Sequence, residues 1–360
     1  ADKREQAFNT PADVYVTNTD AVNWLVKQDA KFFKRFDTLI IDELSAFKHH
    51  TSGRSKAMNK IKKHFKYRYG LTGTSVANIY GTAKQYGLSM ADLAKYTDLH
   101  LFAQAYPERF FQMGMAEQLL MAAAGGMAKE GLTPFATTYA VFGTRRAYDF
   151  IHQVIAEENL NVKICCALPG LTTGYGPSHQ ATEDLAMMRA IPGLTIVDPC
   201  DALDLEQAVP QIAEHNGPVY MRLQRGNVPL ILDEYDYKFE LGKAKTLRDG
   251  KDILIISSGF MTMRSLEVAK QLEADKVDVA VLHVPTIKPL DTATILKEVA
   301  RPGRLVVVAE NHSVVGGLGE AVASALLRHR VHPAKFKLAG LPDAFLDAGA
   351  LPTLHDRYGI

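Results

Sequence analysis

Residues 109–140 read RFFQMGMAEQLLMAAAGGMAKEGLTPFATTYA and decide the fold, because two apolar runs flank one helical segment. The runs at 109–113 and 133–140 are typical of buried strands, and the Ala- and Leu-rich segment 116–130 is typical of a helix. A strand, a helix and a further strand in this order predict a parallel sheet covered by helices. An acid, Glu117, stands near the start of this otherwise apolar helix, although a glutamate is rarely buried without a partner.

The same alternation of strands and helices continues along the chain in two blocks. In the first block we predict further strands at 162–168, 194–199 and 218–223, with helices near 143–158, 182–191 and 201–215. In the second block we predict strands at 252–259, 277–284 and 304–311, with helices near 262–274, 291–300 and 317–329. The pattern therefore predicts an α/β fold with two doubly wound, mainly parallel-sheet domains, at 86–232 and 233–360.

The composition is that of an ordinary globular protein. Hydrophobic residues make up 47% of the 360 residues and charged residues 22%, and the formal net charge is +1. So small a net charge gives the whole chain no strong attraction to nucleic acid or to a membrane surface. The three cysteines, Cys165, Cys166 and Cys200, lack the spacing of metal ligands, so we predict neither a disulfide framework nor a metal site. The absence of a long apolar run and of an apolar signal core favours a cytoplasmic protein.

Residues 1–80 differ in character from the rest of the chain. Strands are predicted at 14–18, 36–48 and 67–75, and residues 48–68 form a strongly basic run. The stretches FDTLIIDELSAFK and YRYGLTGTS resemble the first motor domain of superfamily-two helicases and translocases. In that family two acids hold the metal ion and orient a water molecule, and Asp42 and Glu43 stand at their positions. Thr72, Gly73 and Thr74 match the family's coupling motif. No G-x-x-x-x-G-K-[ST] phosphate loop occurs in the sequence, so we predict a partial, inactive helicase-like α/β segment. Solvated charge explains the basic run better than nucleic-acid binding does.

Beyond residue 86, several motifs resemble the transketolase family. The motifs RFFQMGMAEQ, GLTPFATTYAVFGTRRAYDFI, GPSHQATEDLAMMRAIPGLTIVDPCDA and VYMRLQRGNVP look like its pyrimidine-binding domain. VPTIKPLD and ENHSVVGGLGEAV look like its C-terminal domain. The join GTAKQYGLSMADL (81–93) lacks the helix and strand with which family members open the first domain. We therefore expect a shortened domain start and an apparent chimera, whether by natural fusion, by assembly error or by design.

The resemblance implies a cofactor, thiamin diphosphate with Mg²⁺. In the family, a carboxyl group on a pyrimidine ring nitrogen stabilises the cofactor tautomer that becomes reactive, and Glu117 stands at that catalytic position. Phe142 matches the aromatic residue that stacks on the pyrimidine, Tyr139 lies beside it, and Arg145 is a further predicted cofactor contact. From the residues alone, Glu117 could instead complement the helix dipole, and the aromatic residues could be plain core.

The substrate residues that the resemblance implies are only partly retained. His179 matches a family histidine that acts at the substrate oxygens, and Arg225 matches an arginine that binds the sugar phosphate. Gly174 and Tyr175 replace an acidic pair, so Tyr175 is the predicted substrate contact there, and Ala167 replaces a second histidine. We therefore expect a small sugar or 2-oxo acid substrate other than the common pentose phosphates.

The sequence also lacks the G-D-G motif with which the family holds Mg²⁺ and the diphosphate. The resemblance thus implies the C-terminal subunit of a split transketolase-like enzyme that transfers a two-carbon unit. A separate diphosphate-binding subunit would hold the metal and the diphosphate, in a complex built on a homodimer or as a heterotetramer. Two alternatives stay open. One is a β-subunit-like component of a 2-oxo acid dehydrogenase or a deoxyxylulose phosphate synthase, and the other is an inactive chimera that carries an ATPase remnant.

Overall fold

The computed structural model describes residues 8, 21–36, 38–42, 53–65, 67–71, 88–92, 97, 99–224 and 228–360. The chain divides into two compact units, Ala1–Thr72 and Gly73–Ile360. Within the described ranges, no helix is long and apolar enough to cross a membrane.

The first unit contains two parallel strands and short helices in its described part. These elements are α1 (Val22–Leu25), α2 (Ala30–Phe33), β1 (Thr38–Asp42), α3 (Gly53–Ile61) and β2 (Tyr67–Leu71). The strands predicted at 36–48 and 67–75 are therefore present but shorter, and Asp42 is the last residue of β1. The predicted strand 14–18 lies outside the described residues, as do Glu43, Thr72, Gly73 and Thr74.

The second unit alternates strands and helices along its described length. Its strands are β3 (Leu88–Ala91), β4 (Phe110–Gln112), β5 (Pro134–Tyr139), β6 (Lys163–Ala167), β7 (Thr195–Val197), β8 (Val219–Leu223), β9 (Lys245–Arg248), β10 (Ile253–Ser257), β11 (Val279–His283), β12 (Thr286–Lys288), β13 (Leu305–Ser313) and β14 (Lys335–Leu341). Its helices are α4 (His100–Ala105), α5 (Glu117–Lys129), α6 (Ala140–Arg146), α7 (Tyr148–Phe150), α8 (Asp184–Ala190), α9 (Ala202–Glu214), α10 (Gly259–Leu272), α11 (Thr292–Val299), α12 (Leu318–Arg328) and α13 (Leu351–Tyr358). A π-helical turn, Ile151–Ala156, continues α7.

These strands form two sheets. The first sheet has the order β12–β7–β8–β6–β5–β3–β4, and its pairs are parallel except that β12 runs antiparallel to β7. The second has the order β14–β13–β10–β11–β9, and only its β9–β11 pair is antiparallel. The predicted α/β fold with two mainly parallel sheets is confirmed, because helices that follow the strands cover these sheets.

The central strands are buried on both faces. Every residue of β5, β6 and β8 is buried, as expected for strands that helices cover on both sides. The neighbouring Cys165 and Cys166 on β6 are free and fully buried. Burial raises the pKa of the Cys165 thiol to about 12, so these cysteines are unreactive core residues.

The sequence pattern does not predict several strands at the sheet edges. β9 and β14 carry charged residues and are largely half-exposed, so they lack the apolar run of a central strand. β12 has only three residues. β3 overlaps the join that the sequence predicts to be shortened, and it pairs with both β4 and β5, so the first sheet does possess an opening strand.

A buried arginine links the two sheets. Arg222 on β8 is 2% exposed and donates to both oxygens of Asp184, at 2.9 and 3.0 Å, and to Asp198 at 3.1 Å. It also donates to the carbonyl of Asn311 on β13, and the Ser258 hydroxyl before α10 donates to Asp198. Since a buried charge is tolerated only when it is paired, this network fixes the second sheet to the first.

Candidate functional site

Glu117 is the first residue of α5 and lies at the carboxyl edge of the first sheet. The chain turns at Gly114, whose φ is +72°, between the end of β4 and this helix. The Glu117 side chain is almost completely buried, and Arg146 at the end of α6 donates from Nη1 to its Oε1 over 3.0 Å. The Arg146 side chain is half-exposed, so it bridges the buried carboxylate and the solvent.

A second carboxyl group, Asp92, follows β3 and lies beside Glu117. It is buried, and the Thr138 hydroxyl on β5 donates to its Oδ2 over 3.0 Å. Burial raises the pKa of Asp92 to about 6, and the negative charge of Glu117 adds to the effect. The pKa of Asp92 is therefore raised well above that of an ordinary aspartate, next to the buried glutamate.

Aromatic rings line the same edge. The Phe142 ring on α6 lies 6.0 Å from the Tyr139 ring in a stacked arrangement and 5.3 Å from the His179 ring, edge to face. The Arg146 guanidinium carbon lies 4.3 Å from the Phe142 ring centre, within the range of a cation–π contact. Phe142 and Glu117 thus share Arg146 as a neighbour.

The loop after β6 brings His179 to these rings. The chain turns at Gly176, with φ of +82°, and the His179 amide donates to the Gly176 carbonyl over 3.0 Å. The Ser178 hydroxyl lies 2.9 Å from Nδ1 of His179, and the Tyr175 ring lies 5.5 Å from its ring. Tyr175 is 68% exposed, so its ring is available to a ligand.

Arg145 has partners other than Glu117. Its guanidinium donates to the carbonyls of Pro177 at 3.3 Å and of Gln180 at 3.1 Å, and it forms an ion pair with Glu183. In the structure, therefore, Arg145 braces the loop that carries His179. Its predicted role as a cofactor contact stays a prediction.

The structure brings together Glu117, Tyr139, Phe142, Tyr175 and His179 of the predicted site. Arg225 lies outside the described residues. Sequence reasoning missed two neighbours of Glu117, namely Arg146 and Asp92. The sequence signals for them were the second arginine of FGTRRA and the acid of SMADL. Among the residues that the structure describes, no group of three His, Cys, Asp or Glu side chains could hold a metal ion.

The fold and this site define an α/β protein with buried acids and aromatic rings at the carboxyl edge of a parallel sheet. The chain belongs to the transketolase family. Residues 74–230 match the family model for the transketolase pyrimidine-binding domain, and residues 242–360 match that for the transketolase C-terminal domain.

Similar proteins carry transketolase names. A transketolase family protein of Sinorhizobium fredii is 73% identical over 274 residues, which cover 76% of this chain and 79% of that protein. The 6-deoxy-6-sulfo-D-fructose transketolase subunit SqwH of a Clostridium species is 37% identical, over 75% of this chain and 83% of that protein. A 1-deoxy-D-xylulose-5-phosphate synthase of Geobacter sulfurreducens is 31% identical over 81% of this chain but only 46% of its own length.

A solved structure agrees with these sequences. A split-gene transketolase, described as an inactive β4 tetramer, aligns with a TM-score of 0.72 and 40% identity, over 79% of this chain and 92% of that chain. The predicted enzyme class, a transketolase-like transferase, is confirmed by these relatives. Neither family match extends before residue 74, and these comparisons give no support to the helicase resemblance or to a chimera.

Proposed function

We propose that the chain is the C-terminal subunit of a split, thiamin-diphosphate-dependent enzyme that transfers a two-carbon unit. A separate subunit would supply the diphosphate-binding domain. The observation that carries this proposal is the buried Glu117 carboxylate beside Phe142 at the carboxyl edge of the first sheet. The match to a pyrimidine-binding domain and a C-terminal domain supports it.

The residues present fit the pyrimidine half of the cofactor. A flat heteroaromatic ring needs an apolar face and a few well-placed polar groups, which Phe142, Tyr139 and Glu117 offer together. The sequence contains no G-D-G motif, with which the family binds Mg²⁺ and the diphosphate half of the cofactor. We therefore assign the diphosphate and Mg²⁺ to the partner subunit.

When bound, thiamin diphosphate supplies a nucleophilic carbon that the protein itself lacks. Glu117 would hydrogen-bond the pyrimidine ring nitrogen, and Phe142 would stack on the ring. Asp92 would place a second buried acid beside Glu117, and burial together with the Glu117 charge raises the pKa of Asp92 to about 6. His179 would contact the substrate oxygens, because its half-exposed ring lies between the rings of Phe142 and Tyr175.

The substrate we propose is a ketose or a 2-oxo acid with an anionic end. Arg225 would bind that end through paired donors. Tyr175 and Ala167 offer no carboxylate or imidazole for a sugar hydroxyl, so xylulose 5-phosphate should be a poor donor. The relative named for 6-deoxy-6-sulfo-D-fructose fits a donor whose anionic group is not the usual phosphate. A deoxyxylulose phosphate synthase type of reaction is the second candidate, because synthases of that name are among the relatives.

An exposed apolar surface supports an oligomer. Phe111, Met115 and Leu119 are 37%, 83% and 55% exposed, and they flank Glu117 in the chain. Large apolar side chains grouped at the surface mark an interaction site. We propose that a second copy or the diphosphate-binding subunit covers them, in a homodimer or a heterotetramer, and the solved relative is itself described as a tetramer.

The test is reconstitution with a candidate diphosphate-binding subunit, chosen because it carries the G-D-G motif that this sequence lacks. A panel of ketose and 2-oxo acid donors is offered to the mixture with thiamin diphosphate and Mg²⁺, and the products are analysed. Two-carbon transfer that requires both subunits is the expected result. Hydrolysis of ATP without any two-carbon transfer would contradict the proposal, and robust turnover of xylulose 5-phosphate would contradict the proposed substrate class.

A further inference from the structure

The loop that carries Tyr175 and His179 is held by the second sheet's domain. We call residues 170–180 the site loop. The Leu171 amide donates to Oδ1 of Asn311 over 2.8 Å, and its carbonyl lies 2.9 Å from Nε2 of His355. These partners lie on β13 and α13, so the start of the site loop rests on the C-terminal part of the chain.

The middle of the site loop is joined backbone to backbone to the segment before α13. We call residues 347–349 the clamp. The Gly349 amide donates to the Gly174 carbonyl over 2.9 Å. The buried Gln180 side chain donates to the carbonyls of Asp347, at 3.1 Å, and of Thr173, at 3.3 Å. Both sides of the turn at Tyr175 are therefore tied to the clamp.

The packing between loop and clamp leaves no room for a side chain. A Cβ atom at Gly174 would lie 2.0 Å from the carbonyl oxygen of Gly349, a distance that real Cβ atoms do not adopt. At Gly176 a Cβ would lie 3.2 Å from that of Ala348, and the positive φ there already favours glycine. The clamp thus gives a physical reason why residue 174 is glycine, where the family carries an acid.

The clamp is itself anchored. The Tyr358 hydroxyl donates to Oδ2 of Asp347 over 2.8 Å and accepts from the Asp347 amide over 3.1 Å. Arg357 donates to the same carboxylate oxygen over 2.5 Å. Two side chains of α13 therefore set the position of a clamp that has no regular secondary structure of its own.

We propose that residues 347–349 are a positioning element for the site, which holds the site loop so that His179 faces Phe142 and Tyr175 packs against His179. The proposal rests on the proposed function, in which His179 contacts the substrate. A displaced loop would move His179 away from Phe142 without touching Glu117. Because a misplacement of about 1 Å can cost about a hundredfold in rate, the clamp controls turnover rather than cofactor binding.

The test uses Gly174→Ala in the full chain, with Gly349→Ala as the matched control. Gly349 faces the same contact, but a Cβ there meets only Leu354 at 3.7 Å, an ordinary distance. NMR of the His179 ring protons reports its position, because the rings of Phe142 and Tyr175 shift those signals. We expect Gly174→Ala to move the His179 signals and Gly349→Ala to leave them in place. Tyr358→Phe, which removes only the hydroxyl that anchors Asp347, should move the His179 signals in the same direction to a smaller extent.

The reconstituted enzyme gives the second readout. Gly174→Ala should lower kcat by about a hundredfold while the dissociation constant of thiamin diphosphate stays as in the wild type. A loss of thermal stability with unmoved His179 signals would show that the clamp is merely structural and would overturn the proposal. Moved signals with wild-type kcat would instead refute the proposed role of His179, on which this inference rests.

Discussion

Substitution of Glu117 by glutamine tests the site most sharply, because it removes the acidic group and changes the side-chain volume very little. The amide still accepts the hydrogen bond from Arg146 at Oε1. Because an NH2 group has replaced one carboxyl oxygen, the side chain has no acidic proton to share with a pyrimidine nitrogen. Acid–base assistance of this kind contributes about a hundred- to ten-thousand-fold to a rate. We therefore expect kcat to fall by that factor, which raises the barrier by about 2.7–5.5 kcal/mol.

The fold should survive this change. Arg146 is half-exposed, so water can solvate its charge once the carboxylate is gone. Loss of the Glu117 charge also removes one of the causes that raise the pKa of Asp92. The melting temperature at pH 7 should therefore stay close to that of the wild type.

The assay compares kcat of the reconstituted enzyme and the melting temperature of the chain for three proteins. They are the wild type, Glu117→Gln and the control Glu130→Gln, which changes an exposed acid just beyond the C-terminal end of α5. We expect the control to match the wild type in both kcat and melting temperature. Wild-type kcat for Glu117→Gln would refute the reasoning, and a collapse of the fold would show that the acid is chiefly structural.

Three further predictions concern the framework. Glu310 accepts from two amides at the start of α12, and burial raises its pKa to about 7. An acid whose pKa is higher in the folded than in the unfolded state destabilises the folded state as the pH rises. In urea titrations, the unfolding free energy of the wild type, measured relative to that of Glu310→Gln, should therefore fall between pH 5 and pH 8. Arg222→Met leaves Asp184 and Asp198 buried without their cation and should cost about 3–5 kcal/mol in the same assay. Deletion of residues 1–72 should leave the melting temperature and the reconstituted activity of the remainder unchanged, and a large fall in either would show that the first unit supports the second.

The central strands could be predicted because burial on both faces leaves a plain signal. β10 and the part of β6 that follows Lys163 are short, mainly apolar runs, which are typical of strands buried on both faces. The edge strands could not be predicted in the same way. β14 alternates Lys335, Phe336 and Lys337 at a sheet edge, and so it lacks the apolar run.

The sequence predicts a residue of the site only where that residue stands in a recognisable motif. Glu117 and Phe142 stand in sequence motifs that resemble those of the transketolase family. Asp92 follows β3 and Glu117 follows β4, and the two acids lie close together because these strands are neighbours in the sheet. The spacing of the two residues along the chain does not predict that pairing. The contact between the clamp and the site loop is harder still to predict from the sequence, since Gln180 and Asp347 are 167 residues apart. Contacts of that range depend on the folded topology.

The most direct test of the central claim is a calorimetric titration of thiamin diphosphate with Mg²⁺ into the chain, alone and then mixed with the diphosphate-binding subunit. If the chain supplies only the pyrimidine half of the site, binding to the chain alone should be weak, and binding to the mixture should be tight with one cofactor for each pair of subunits. Glu117→Gln should weaken binding to the mixture. Tight, stoichiometric binding to the chain alone would contradict the account.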